Sequence, residues 1–287
     1  MSSIPGACNV GTPNGRRLGI EQLSVFSLPP VEFVNLVADL GCNCISAGLT
    51  GLGYNPHRYP AFSLREDRAL RGELIAVMRE RGVAISLGEG CIIRPNSEIR
   101  GAAADMDIMR ELGVERLNTV SMDPDVARTL DQLAEFAQMA AERGMLSTIE
   151  LCPALTINNL DAAVAAVRHV GRPDFSLLLD TMHLGRSGAT AAQLAALDPA
   201  LIGYVQLCDA PRQPREPNYL QEATFERMVP GEGEMPLRDY LAVLPPGVTV
   251  SLEVPMRSQA EAGIGPEVRV RRCVEAARRI LAEVGTP

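Results

Sequence analysis

The chain has 287 residues, 46% of them hydrophobic, and a formal net charge of −8 at pH 7. That length allows one large α/β domain or two smaller ones, and the acidic balance argues against a nucleic-acid-binding surface. All 27 basic residues are arginine, which excludes Schiff-base chemistry on a lysine and a Walker A motif.

The seven cysteines are scattered along the chain without a CxxC pair, which predicts reduced thiols in a cytosolic protein. Residues 1–15 lack the basic and apolar regions of a signal peptide. No apolar run approaches the ~20 residues that span a bilayer. We therefore expect a cytoplasmic protein that does not interact with a membrane.

Residues 1–16 contain several Gly, Pro and Asn residues and are predicted to form a loose arm. Strand and helix patterns alternate after it. The predicted strands of this half are Leu18–Phe26, Cys42–Leu49, Val83–Leu87 and Arg116–Met122, and the helices are Leu28–Leu40, Leu64–Arg81, Glu98–Leu112 and Pro124–Arg143. Glycines that end three of these helices (Gly82, Gly113 and Gly144) support the assignment.

The second half continues the alternation. Its predicted strands are Met145–Leu151, Phe175–Thr181, Ile202–Leu207 and Val248–Val254, and its helices are Leu160–Val170, Ala191–Leu197, Leu237–Leu244 and Pro266–Val284. The connection from Asp209 to Gly233 is long enough to indicate a functional loop. Eight strands alternating with eight helices predict a single (β/α)8 TIM barrel over residues 1–287.

Four consecutive predicted strands end on polar side chains: Glu150, Asp180, Gln206 and Glu253. In a TIM barrel the active site lies at the C-terminal ends of the strands, so these side chains should share one rim. Three carboxylates and an amide oxygen would repel each other if no cation lay between them. Oxygen ligands of this kind suit Mg²⁺ or Mn²⁺, so the pattern predicts a divalent metal site.

The sequence around these strand ends resembles the xylose-isomerase-like TIM-barrel superfamily, which includes sugar and sugar-phosphate isomerases and epimerases, and inosose dehydratases. The resemblance extends from about Leu18 to Leu281. Its most specific elements are the DTxH motif at Asp180–His183 and the PGEGE motif at Pro230–Glu234.

The resemblance implies that Glu150, Asp180, Gln206 and Glu253 bind one divalent metal ion, with Mn²⁺ or Mg²⁺ favoured and Co²⁺ or Zn²⁺ as alternatives. It also implies that Glu150 and Glu253 act as a catalytic acid/base pair. Many relatives have a histidine at the position of Gln206. Glutamine still offers an amide oxygen, but it is a weaker ligand and makes zinc a less suitable metal.

Further candidates surround this set. His183 matches a substrate-binding histidine, and Arg215, with Arg212 as its rival, is the candidate for a substrate-contacting arginine. The other candidates for substrate binding are His57, which follows the second strand and would line the pocket mouth, and Glu89 and Asn118, at or near the ends of the third and fourth strands, which would bind substrate hydroxyls. The expected partner is a small carbohydrate-like molecule, and a homodimer is the assembly that the family suggests.

The implied chemistry is proton abstraction next to a carbonyl, through an enediolate. Return of the proton gives an isomerase or epimerase of a ketose or related keto-polyol, which is the first hypothesis. Loss of a β-hydroxyl gives a dehydratase or lyase on a keto-sugar or keto-cyclitol. A third hypothesis is a non-catalytic sugar-binding barrel. The ligand set alone does not separate these outcomes.

Overall fold

The computed structural model describes residues 17–285; the predicted arm at residues 1–16 and Cys8 lie outside them. Eight parallel strands form a closed barrel, in which each strand pairs with the next and the last pairs with the first. The strands are β1 (Leu18–Ile20), β2 (Cys44–Ala47), β3 (Ala84–Ile93), β4 (Arg116–Ser121), β5 (Leu146–Glu150), β6 (Phe175–Asp180), β7 (Ile202–Leu207) and β8 (Val250–Leu252). The predicted (β/α)8 TIM barrel is confirmed.

Helices connect successive strands around the outside of the barrel. Within the described residues they are α1 (Gln22–Val25), α2 (Pro30–Asp39), α3 (Arg68–Arg81), α4 (Ala103–Glu111), α5 (Val126–Glu142), α6 (Leu160–Val170), α7 (Thr181–Arg186), α8 (Ala191–Ala195), α9 (Tyr219–Phe225), α10 (Leu237–Ala242), α11 (Arg257–Glu261) and α12 (Pro266–Val284). Short 3-10 turns precede α4 and β7. No helix within residues 17–285 has the length and apolar character needed to cross a bilayer.

The helix ends follow from local sequence. Side chains of Asp67, Asp125 and Asn159 accept hydrogen bonds from backbone N–H groups in the first turns of α3, α5 and α6. Gly82 and Gly171 end α3 and α6 with φ angles of 65° and 64°. This left-handed conformation is one that glycine adopts without steric cost.

Two predicted elements near the barrel mouth are wrong in extent. The strand predicted over Leu18–Phe26 ends at Ile20, and the chain then forms α1. A short apolar run fits a buried helix as well as a strand, and α1 is anchored on β8 because Ser24 Oγ donates to Leu252 O at 2.8 Å. The third strand continues past Leu87 to Ile93, so Glu89 lies within β3. The register with β4 shifts next to Glu89, as at a β-bulge.

The long connection after β7 is more ordered than expected. It contains α9 and is pinned at its base, where isolated bridges join Asp209 to Met228 and Glu226 to Met256. The PGEGE turn closes on the same base, because Asp209 accepts hydrogen bonds from the backbone N–H groups of Gly231 and Met235. These bonds fix the segment that reaches over the ends of β6–β8.

Candidate active site

The barrel register brings the four predicted ligand residues to one rim. Asp180, the last residue of β6, pairs directly with Gln206 of β7. Glu150 ends β5 and pairs with Leu178 of β6. Glu253 follows β8, and its backbone N–H donates to the carbonyl oxygen of Leu207 at 3.2 Å. All four side chains therefore lie at the C-terminal ends of neighbouring strands.

Glu150 lies between two predicted substrate-binding residues. Its Oε2 accepts a hydrogen bond from Asn118 Nδ2 at 2.8 Å, and its Oε1 lies 3.4 Å from His183 Nε2. Thr148 Oγ1 donates to Asn118 Oδ1 at 3.1 Å, which orients the amide so that its NH₂ faces Glu150. The side chain of Glu150 is 12% exposed, so this carboxylate remains reachable from the barrel mouth.

His183 is positioned from two sides. Asp180 caps the N-terminus of α7, where its Oδ1 accepts a hydrogen bond from the backbone N–H of His183 at 2.9 Å. The His183 Nδ1 atom lies 2.6 Å from the hydroxyl oxygen of Tyr219 on α9. The ring is thereby held with Nε2 directed at Glu150.

Arg227 enters the middle of the predicted ligand set. Its guanidinium forms ion pairs with Asp180 and with Glu253, the latter at 2.9 Å between Nη2 and Oε2. Gln206 Nε2 donates to the other oxygen of Glu253 at 3.1 Å. The side chains of Arg227 and Asp180 are 3% and 0% exposed, so this is a buried network.

The charges at the rim shift the pKa values of these groups in different directions. Burial opposes ionisation of Asp180, but the charges of Arg227 and His183 outweigh it and lower the pKa of Asp180. Burial raises the pKa of Glu253 well above its usual range; Arg227 counteracts this, while the charges of Glu150 and Asp180 add to it. Burial would lower the pKa of His183, but chiefly the charge of Asp180 raises it well above its usual value.

A second group of carboxylates includes Glu253. One oxygen each from Glu21, Glu89 and Glu253 lies within 4.8 Å of the others. Burial first, and then the charges of neighbouring glutamates, raise the pKa of Glu89 well above its usual range. Burial likewise raises the pKa of Glu21, whose Oε1 accepts a hydrogen bond from the Tyr204 hydroxyl at 2.9 Å. The barrel mouth therefore holds more carboxyl groups than its nearby cations neutralise.

The residues present fit a divalent cation. Donor atoms of Glu150, Asp180 and His183 all lie within 4.8 Å of one another. Within residues 17–285, Gln206 Oε1 is a buried oxygen with no hydrogen-bond partner, and such an orphaned acceptor is unusual unless an ion or water satisfies it. Carboxylate and amide oxygens suit Mn²⁺ or Mg²⁺.

The structure does not bring the remaining candidates to this rim. Arg215 and its rival Arg212 are exposed. Their backbone N–H groups donate to Glu222 and Glu234, respectively. His57 lies beside Tyr59 with its Nε2 buried and unpartnered within the described residues. The substrate contacts predicted for Arg215 and His57 stay predictions, and Arg227 is the arginine that reaches the strand ends.

Sequence reasoning missed Arg227, Tyr219 and Glu21. Arg227 lies three residues before the PGEGE motif, and this proximity to a specific family motif is the signal that could have found it. Glu21 follows an apolar strand just as Glu150 does, but it was hidden inside the longer strand predicted there. Nothing in the sequence relates Tyr219 to His183.

A curated relative and two solved structures resemble the chain. It is 29% identical over 161 residues to a 3-dehydroshikimate dehydratase of Pseudomonas aeruginosa; the match spans 54% of this chain and only 25% of that protein. An IolI protein structure with a bound zinc atom has a TM-score of 0.77 at 17% identity, covering 93% of this chain and 98% of that one. A D-psicose 3-epimerase with D-tagatose from Clostridium cellulolyticum has a TM-score of 0.67 at 16% identity, covering 92% and 99%.

The two structural matches show the shared barrel. The proteins that resemble the chain include an epimerase and a dehydratase. The model of one family, described as the xylose isomerase-like TIM barrel, matches residues 34–273. That range contains the four strand-end residues, His183 and Arg227. The chain therefore belongs to the xylose isomerase-like TIM barrel family.

Proposed function

We propose that the protein is a divalent-metal-dependent dehydratase that removes water from a small cyclic hydroxyketone. 3-Dehydroshikimate, the compound named in the curated relative, belongs to this class. The observation that carries the proposal is the unequal environment of the two glutamates. Both oxygens of Glu253 are engaged, one in an ion pair with Arg227 and the other in a hydrogen bond from Gln206, whereas Glu150 Oε1 faces His183.

An epimerase of this type needs two groups that exchange a proton with the same carbon from opposite faces. An elimination needs one base for the carbon-bound proton and one acid for the departing hydroxyl. Glu150 and His183 supply that pair, with 3.4 Å between Oε1 and Nε2. The charge of Asp180 raises the pKa of His183 and so favours the protonated ring, which is the form that a general acid requires.

Glu150 and His183 together supply and recover every proton of the elimination. Glu150 takes the proton from the carbon next to the ketone, and the C–H electron pair forms the enolate. The enolate then expels the β-hydroxyl, which leaves as water with the proton of His183. Transfer of the proton from Glu150 to His183 restores both groups. Tyr219 keeps the ring in place through its contact with Nδ1.

Glu150, Asp180, Gln206 and Glu253 would hold the cation. When bound, it would polarise the ketone oxygen and stabilise the negative charge that develops there. Asn118 supports the reaction differently, because its hydrogen bond to Glu150 Oε2 leaves Oε1 as the oxygen that takes the proton.

The second candidate is epimerisation or isomerisation of a ketose. It is favoured by the proximity of Glu150 and Glu253, since the charge of Glu150 helps to raise the pKa of Glu253. A carboxyl group that retains its proton can return one to the enediolate. In this reaction Glu150 is the base and Glu253 is the acid.

One experiment separates the candidates. Protein reloaded with Mn²⁺ is incubated in D₂O with 3-dehydroshikimate, and in parallel with D-fructose and D-tagatose, and the products are followed by NMR and near-ultraviolet absorbance. We expect the cyclic hydroxyketone to lose water and give an aromatic dihydroxy acid, which absorbs strongly. The Glu150→Gln variant is the control and should be inactive.

Deuterium incorporation into a ketose, without loss of a hydroxyl and without an aromatic product from the cyclic compound, would replace the proposal with the epimerase. Binding of sugars without either reaction would favour the non-catalytic barrel.

A further inference from the structure

Arg227 occupies the place where the predicted metal ligands converge. Its Nη1 donates to Asp180 Oδ2, and its Nη2 forms an ion pair with Glu253 Oε2 at 2.9 Å. The guanidinium also lies 3.2 Å from Cys208 Sγ. It therefore satisfies two of the three carboxylates that a metal ion would use.

The position of Arg227 is fixed by its surroundings. Its backbone N–H donates to Pro255 O at 2.7 Å, and its Nε donates to Ala223 O at 2.7 Å. The next residue, Met228, exchanges two backbone hydrogen bonds with Asp209, at 2.8 and 3.0 Å. An arginine whose backbone N–H and Nε are already hydrogen-bonded loses little further side-chain entropy when its terminal nitrogens form ion pairs.

All four carboxylate oxygens of Asp180 and Glu253 have a polar partner. Those of Asp180 accept hydrogen bonds from His183 N and from Arg227. Glu253 Oε1 accepts from Gln206 Nε2, and Glu253 Oε2 is ion-paired with Arg227 Nη2. A divalent ion that used the same oxygens would lie close to the guanidinium, and the two positive charges would repel strongly in this buried setting. Metal ion and guanidinium therefore cannot both bind these two carboxylates fully.

We infer that Arg227 is an internal cation that competes with the divalent metal ion for Asp180 and Glu253. In the metal-free protein it neutralises buried carboxylates that would otherwise be costly to keep ionised. Metal binding has to break or weaken the two ion pairs of Arg227, and the metal affinity is lower as a result. This property holds whichever reaction the site performs.

The test compares the affinity of the metal-stripped protein for Mn²⁺ before and after removal of the guanidinium. The Arg227→Met variant keeps a side chain of similar length without its charge. Isothermal titration with Mn²⁺ should give a Kd at least about tenfold lower for Arg227→Met than for the wild type, within the range of typical coupling between two sites. In thermal unfolding, Mn²⁺ should also raise the Tm of the variant more than that of the wild type.

The control is Arg71→Met, which removes an arginine–carboxylate pair on the outer helices, between the mostly buried Arg71 and the exposed Glu111. It should bind Mn²⁺ as the wild type does. If Arg227→Met binds Mn²⁺ and the wild type does not, the result supports the competition, because the guanidinium then excludes the metal ion completely. An unchanged or weaker Kd in folded Arg227→Met, or no binding by either protein, would overturn it.

A second measurement on the wild type covers the case in which Arg227→Met does not fold. Crystal structures of the wild type are compared without metal and with Mn²⁺ bound. Competition requires that Arg227 move away from Asp180 Oδ2 or Glu253 Oε2 when Mn²⁺ is bound. A bound Mn²⁺ ion with both ion pairs intact would refute the inference.

Discussion

Replacing Asp180 with asparagine should destabilise the metal-free protein substantially. The carboxylate is fully buried and pairs with a guanidinium whose side chain is 3% exposed. Asparagine keeps an oxygen that can accept from His183 N, but it removes the negative charge opposite Arg227. The arginine then retains only Glu253 as a charged partner.

Breaking a buried ion pair by removing one partner costs about 3–5 kcal/mol. Since Arg227 keeps the partner at Glu253, the lower end of that range is expected. A chain of this size loses about 2 °C of Tm per kcal/mol, so the shift is about 6 °C. Asp180 has a lowered pKa in the folded protein, so its stabilising contribution is present above its unfolded pKa of about 3.9 and is lost as the pH falls further.

The assay is thermal unfolding followed by circular dichroism in the presence of a chelator, at pH 7 and at decreasing pH. The difference in Tm between wild type and Asp180→Asn should shrink as the pH falls below the ordinary aspartate pKa of about 3.9. Asp39→Asn is the control, because its partner is Arg81 and its side chain is 63% exposed. An exposed pair is worth about 0–1 kcal/mol. Equal Tm losses in the two variants would refute the assignment of a buried charge network.

Three further changes test individual groups. Glu150→Gln should lower kcat of the Mn²⁺-loaded enzyme by about 10²–10⁴-fold, the contribution of a general base; near-normal turnover would contradict its role. Tyr219→Phe should lower kcat with little change in KM, because it loosens His183; an effect on KM alone would point to substrate binding. Glu89→Gln should stabilise the metal-free protein increasingly as the pH rises above about 4.3, because the raised pKa of Glu89 makes wild-type stability decline there. Equal Tm values for Glu89→Gln and wild type at every pH would show that the pKa of the Glu89 carboxyl is not raised by folding.

The barrel and its polar rim could be predicted because both depend on local sequence. Glu150, Asp180 and Gln206 each lie at or near the end of an apolar strand, and parallel strands in a barrel place such residues on one rim. The predicted ends of the strands were less accurate, since a run of apolar residues does not distinguish a strand from a buried helix. The run from Leu18 to Phe26 contains both.

The interior of the site could not be predicted, because it depends on contacts between distant segments. Arg227 meets Asp180 across 47 positions of the chain, and Tyr219 meets His183 across 36. Neither pair has a sequence spacing that links its members. The family resemblance selects Arg215, in the long connection after β7, whereas the fold of that connection decides which arginine turns inward.

The two bridges at the base of the long connection have an evolutionary consequence. They fasten Asp209 to Met228 and Glu226 to Met256, so residues 210–225 form an excursion whose two ends are held together. Lengthening such an excursion costs only about 0.6 kcal/mol for each doubling in length. New substrate preferences can therefore arise by insertion or exchange within residues 212–217, which precede Tyr219 and Ala223, and a segment of different length there would leave Arg227 and the strand ends in place.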